Sequence, residues 1–120
     1  MKVRAIRGAT QLEVDEREHL RERTAELVAE VLRANGLDTE SLISIIFTST
    51  PDLHSDFPAA AARDMGLGDV PLLCAVEIDV PDSLPRVVRL LAHANLDVPL
   101  AEVRHVYLHG ATVLRRDLAQ

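Results

Sequence analysis

The sequence predicts a single-sheet α/β or α+β domain, and three observations carry that prediction. Apolar runs of strand length alternate along the chain with stretches that repeat their apolar residues at helical spacing. The segments between successive strands are long enough to hold helices, so part of the sheet can be parallel. Hydrophobic residues make up 48% of the 120 residues, enough for one core and too few positions for two domains. Aromatics are only 2%, so that core is built from Leu, Val, Ile and Ala.

Residues 2–10 read as a strand, with Val3, Ala5 and Arg7 on one face and Arg4, Ile6 and Gly8 on the other. A helix is predicted from Glu16 to Ala34. Asp15 is its expected N-cap, Glu18 completes a capping-box spacing, and Gly36 stops it. Leu20, Leu27, Val28, Val31 and Leu32 form its apolar stripe. Leu42 to Thr48 (LISIIFT) is apolar almost throughout, as in a strand covered on both faces, and ends in the polar turn Ser49-Thr50-Pro51-Asp52. Phe57-Pro58 opens a short helix over Ala59 to Met65, closed by Gly66 and Gly68. A third strand is predicted from Leu72 to Val80. Pro81-Asp82-Ser83 then leads into a helix from Leu84 to Asn95, buried through Leu84, Val87, Val88, Leu91 and Ala94. Val103 to His109 reads as a fourth strand, which Ala111 to Leu114 would extend. The order is therefore β-α-β-α-β-α-β.

A net charge of −6 argues against nucleic acid and anionic membranes, both of which need a basic field. No apolar run approaches the ~20 residues of a membrane span, and the N-terminal MKVRAIRGAT lacks the apolar core of a signal peptide. Cys74 is the only cysteine, which excludes an internal disulfide and points to a reducing compartment. A soluble cytoplasmic protein is expected. Lys2 is the only lysine beside twelve arginines. Arginine holds carboxylates through a planar fork of donors, so the placement of each one matters more than the total.

Arg7 falls with Val3 and Ala5 on what should be an apolar face, so it either meets a partner in a cleft or reaches solvent at the strand end. Glu77 stands between Val76 and Ile78, as a site acid or as an edge-strand surface acid. Arg89 aligns with Arg86 and His93 in what reads as an ordinary solvated helix stripe. Tyr107 is the sole tyrosine, sharing a strand face with Val103, His105 and His109. His105 and His109, four apart in a strand, are spread over about 13 Å, and Cys74, Glu77 and Asp79 lack zinc-site spacing, so no metal is expected. There is no phosphate loop, nucleophile elbow or CxxC pair.

The strings in which these residues sit are more specific. RAIRGAT (Arg4 to Thr10), TSTPDLHSDFPAAAAR (Thr48 to Arg63) and VPLLCAVEIDV (Val70 to Val80) resemble the aroH-type chorismate mutases. DVP (Asp97 to Pro99) and RHVYLHGATVLRRDL (Arg104 to Leu118) extend the resemblance, in the same order, over essentially the whole chain. It implies a homotrimer: a mixed sheet with helices outside in each subunit, the three sheets meeting in a pseudo-α/β-barrel, and active sites at the subunit clefts. It also implies a cofactor-free Claisen rearrangement of chorismate to prephenate.

Carried over by position, Arg7, Leu73, Cys74, Glu77, Arg89 and Tyr107 resemble one wall of the cleft, and Phe57, Ala59 and Arg63 the wall from the neighbouring subunit. Leu114 and Arg115 would belong to a covering C-terminal segment. In this reading Arg89 donates to the ether oxygen, Arg7 and Tyr107 hold carboxylate, and Glu77 accepts from the ring hydroxyl. Cys74 and Glu77 are three apart, hence on opposite strand faces, so Cys74 is expected to contribute through its backbone. The family commonly has a lysine where this chain has Ala60, which removes a cation from the rim. Two other classes remain open at this point: a Rid-type imine deaminase, and a trimeric metabolite-binding module without turnover.

Overall fold

A computed structural model describes residues 2–115. The chain runs β1 (Val3–Gln11), α1 (Arg17–Asn35), β2 (Leu42–Ser49), α2 (Pro58–Ala62), β3 (Leu72–Val76), β4 (Val87–Asn95) and β5 (Val106–Leu108). The strands form one sheet in the order β3-β2-β4-β1-β5. β4 runs antiparallel to β1 and β2, while β2–β3 and β1–β5 are parallel, so the sheet is mixed.

Alternation along each strand divides the sheet into two unlike faces. Ile6 of β1, Ile45 and Phe47 of β2, and Val88, Leu90, Ala92 and Ala94 of β4 are all buried. They join Leu20, Leu27, Val28 and Val31 of α1 and Ala59 and Ala62 of α2 in the main core. Gly8 lies where α1 comes closest: a Cβ there would meet Leu27 and Leu90 at 3.1–3.2 Å. Gly36 ends α1 in the left-handed conformation, its N–H on Arg33 O, as the sequence predicts. On the other face no α-helix packs among the described residues, and Val3, Leu73 and Leu91 remain exposed.

The largest correction concerns Leu84 to Asn95. Instead of a helix, Val87–Asn95 is the central strand β4. Arg86, immediately before it, has φ 53°, which no helix interior accepts, and its N–H is held by Asp52 Oδ2. Both faces of β4 carry apolar residues, Val87 and Leu91 on one and Val88, Leu90, Ala92 and Ala94 on the other, so a period of two hid inside a run that also satisfies helical spacing. Ladder bonding from two neighbours decided the outcome.

Other elements differ at their ends. α1 begins at Arg17 after Glu16, without a side-chain cap. Asp15 instead accepts from the backbone N–H groups of His54 and Ser55, tying the start of α1 to the loop before α2. α2 is shorter than predicted and passes into a wide turn over Arg63–Leu67, where Gly66 has φ 93°. β3 stops at Val76, because its one neighbour, β2, ends at Ser49. Strand four shrinks to Val106–Leu108, and His109–Val113 is a 3₁₀ turn rather than a continuation of the sheet. Residues 116–120 of the predicted tail lie outside the described part.

Candidate functional site

Register places five side chains in one row across the open face. Thr48 of β2 lies opposite Ala75 on one side and Arg89 of β4 on the other. Arg89 lies opposite Ala9 of β1, and Ala9 opposite Tyr107 of β5. The next row holds Leu73, Ile46, Leu91 and Arg7. Two alanines flank the Thr48–Arg89 pair, and their small side chains leave room above the sheet. Arg7, Ala9, Ile46, Thr48, Arg89, Leu91 and Tyr107 line a cavity of about 290 Å³ there.

Arg7 therefore sits on the uncovered face, with exposed Val3 and Ala5, and not on an apolar inner one. Its backbone N–H donates to His105 Nδ1 at 3.0 Å. Burial lowers the basicity of His105, and the positive charges of Arg7 and Arg115 lower it further. The accepting Nδ1 and the depressed pKa agree: a neutral imidazole backs Arg7.

Glu77 follows the last residue of β3, its N–H continuing the ladder to Ser49 O at 2.9 Å. Its carboxylate turns inward over the sheet. Arg89 Nε donates to Oε1 at 3.2 Å and Oε2 at 3.0 Å, and Thr48 Oγ1 donates to Oε2 at 2.7 Å. The Glu77 side chain is 16% exposed and that of Arg89 42%. Arg89 thus spends Nε on Glu77 and keeps its two terminal nitrogens for whatever enters the cavity. Tyr107 is buried beside Ala9, Val87 and Ala111, with Leu84 and Leu114 packed against that cluster.

The remaining predicted residues gather elsewhere. Phe57, Ala59, Arg63, Leu72, Leu73 and Cys74 line a second cleft of about 340 Å³. Cys74 pairs with Phe47 and packs against the helix side of the sheet, on the face opposite Glu77. Phe57 is 67% exposed. Its loop is fastened from below by Asp56, which takes Arg21 Nε at 2.6 Å and Arg17 Nε at 3.4 Å. The hydrogen bond from Arg21 holds the Asp56 carboxyl below its ordinary range despite partial burial. Ala60, where the family usually has lysine, is buried in α2. Among the described residues no group of three or more His, Cys, Asp or Glu is placed to hold a metal ion.

One chain thus presents two separate clefts. The arginine-lined one suits a carboxylate-bearing ligand; the other offers an aromatic ring and one further arginine. The sequence profile of type I chorismate mutases matches residues 3–118. The chain belongs to this family.

Among relatives, the chorismate mutase AroH of Thermus thermophilus is 53% identical over 117 residues, covering 97% of this chain and 96% of its own length. That of Bacillus subtilis (strain 168) is 38% identical over 120 residues, covering 99% of this chain and 94% of its own. A solved chorismate mutase from Clostridium thermocellum superposes with a TM-score of 0.90 at 44% identity, over 92% of this chain and 98% of that one. The aroH-type resemblance and the single mixed sheet expected from it are thereby borne out. In this type I chorismate mutase, Thr48 is a polar member of the cavity that the sequence pattern does not single out. The only signal for it was a hydroxyl at the polar end of an apolar strand.

Proposed function

We propose that this chain converts chorismate to prephenate, in cytoplasmic trimers whose active sites join the arginine-lined half-site of one subunit to the Phe57–Arg63 half-site of the next. The observation that carries the reading is the open-face cavity, where Arg7, Arg89 and Tyr107 converge and Glu77 orients Arg89. The uncovered sheet face, with exposed Val3, Leu73 and Leu91, supports burial against other copies. A head-to-tail contact closed by three-fold rotation would complete every site alike. The lone cysteine supports the reducing compartment.

The rearrangement breaks a carbon–oxygen bond and makes a carbon–carbon bond within one molecule, with no proton transferred. The site must fold the enolpyruvyl arm over the ring and stabilise negative charge growing on the ether oxygen. Arg89 donates to that oxygen through its terminal nitrogens. Arg7 holds a carboxylate, and Tyr107 hydrogen-bonds the side-chain carboxylate. Glu77 accepts from the ring hydroxyl, since a carboxylate keeps lone pairs beyond those used by Thr48 and Arg89. Cys74 contributes its backbone, and its neighbour Leu73 offers apolar contact from the same strand. Phe57, Ala59 and Arg63 close the site from the adjacent subunit, and Leu114 and Arg115 cover it. Charge-assisted bonds contribute about 1.5–3 kcal/mol each, and a 10⁶-fold acceleration needs about 8 kcal/mol. Four such contacts together with conformational restriction reach that range.

Purified protein mixed with chorismate should consume it, followed as decay of its ultraviolet absorbance, and should sediment at three times the chain mass. Leu91→Asp, a charge on the open face, should yield monomers without turnover. Binding of chorismate with no decay would favour the non-catalytic module. Hydrolysis of amino-acid-derived imines with chorismate untouched would favour the deaminase.

A further inference from the structure

We infer that Thr48 is a positioning residue for the reaction: its hydroxyl fixes the Glu77 carboxylate, which in turn aims the guanidinium of Arg89. The inference rests on the chorismate mutase reading of the cavity. Glu77 lies just past the end of an edge strand, with one ladder bond, to Ser49 O, at its backbone. Its contact on β4 is Arg89, a long side chain that is itself half-exposed. A pair of that kind loses much of its Coulomb gain to side-chain entropy and solvent. Thr48 differs from both. It sits inside β2 with ladder partners on each side, opposite Arg89 in β4 and Ala75 in β3. Its β-branched side chain has restricted χ1 freedom, so the hydroxyl is a stiff donor.

The geometry uses that stiffness directly. Thr48 Oγ1 is 2.7 Å from Glu77 Oε2, the same oxygen that Arg89 Nε reaches at 3.0 Å. Side chains from β2, from β4 and from the residue just past β3 therefore meet on one oxygen. A hydroxyl has a single proton to donate, and Thr48 gives it to Glu77. Its effect on the reacting atoms passes through Glu77 to Arg89, whose Nε is pinned and whose side chain lines the cavity. Without the hydroxyl, Glu77 and Arg89 would still attract each other, but across a wider range of rotamers. Catalysis depends on donors held where charge develops, so loss of that order should lower turnover more than binding.

The test compares Thr48→Val, which keeps the shape and loses the donor, with Thr48→Ser, which keeps the donor. Thr48→Val should lower kcat about 10-fold, the lower edge of what one charge-assisted hydrogen bond contributes, with KM changed less than about twofold. Thr48→Ser should restore most of kcat, and the effect of Thr48→Val should vanish in a Glu77→Ala background. Independently of turnover, the Arg89 Nε–H resonance, assigned by its loss in Arg89→Lys, should broaden in Thr48→Val and sharpen in Thr48→Ser. Wild-type kcat with an unchanged resonance in Thr48→Val would overturn the inference. So would a Thr48→Ser protein as slow as the valine variant, which would reduce Thr48 to packing. If the unsubstituted protein left chorismate untouched, the failure would belong to the reading of the site, and the resonance would still decide whether Thr48 orders Arg89.

Discussion

The two faces of the sheet are made by the same strands and do opposite things. In β4, Val88 and Leu90 point into the helix-covered core while Arg89 between them points into the cavity. In β1, Ile6 and Gly8 meet the covered side and Arg7 the open one. The covered face is apolar and closed by α1 and α2. The open face mixes Arg7, Thr48, Arg89 and Tyr107 with exposed Leu73 and Leu91. Placing chemistry one residue away from core packing gives a chain of this size rigid anchors for its cations. Period-two alternation keeps the two duties from competing.

If the division is real, single substitutions should separate stability from turnover. Phe47 is fully buried on the covered face, and Phe47→Ala should cost about 3–5 kcal/mol of unfolding free energy, read by denaturant melts. The fraction still folded should retain ordinary kcat. Arg89→Ala, or citrulline at the same position, should do the converse. Loss of one donor to developing charge typically costs about 10²–10³-fold in kcat, with the melting temperature nearly unchanged and KM moved far less. A citrulline variant with near-normal kcat would remove Arg89 from the central role proposed for it.

The smallest effect concerns His105. Its folded pKa is depressed, so the unfolded chain binds the proton more readily. The stability it contributes is present above the ordinary histidine value near 6.5 and is lost as pH falls through the lower folded one. The melting temperature should drop by a few degrees at most over that window, and His105→Gln should flatten the drop. Turnover above it should be flat with pH, since no proton moves in the reaction; a bell-shaped profile would break the comparison by putting acid–base chemistry on the open face.

Much of the covered face was legible beforehand, because its signals are local. The α1 stripe, the stop at Gly36 and the apolar run of β2 follow from spacing alone. The open face was not, because its meaning lies in register. Alternation singled out Arg7 as odd but assigned it to an inner face, having no way to know that helices would cover only the other. Arg89 looked like an ordinary solvated charge on a helix, and only resemblance to a family restored it. With β4 misread, nothing could place Thr48 opposite Arg89, or Glu77 within reach of both. Asp15 was legible as a polar residue before a helix, but its acceptors face a loop 39 residues away in sequence, which capping rules do not address.

One consequence of the row across the sheet is optical. Tyr107 is the sole tyrosine of a chain with no tryptophan, and it stands at the end of that row, buried against the cavity. The tyrosine emission of the chain therefore originates in its pocket. Neighbouring carboxylates and arginines alter the quantum yield of a phenol, so a carboxylate ligand that is itself transparent would register there without any label. The scarcity of aromatic residues, which left the core to aliphatic side chains, makes the protein a spectroscopic probe of its own site.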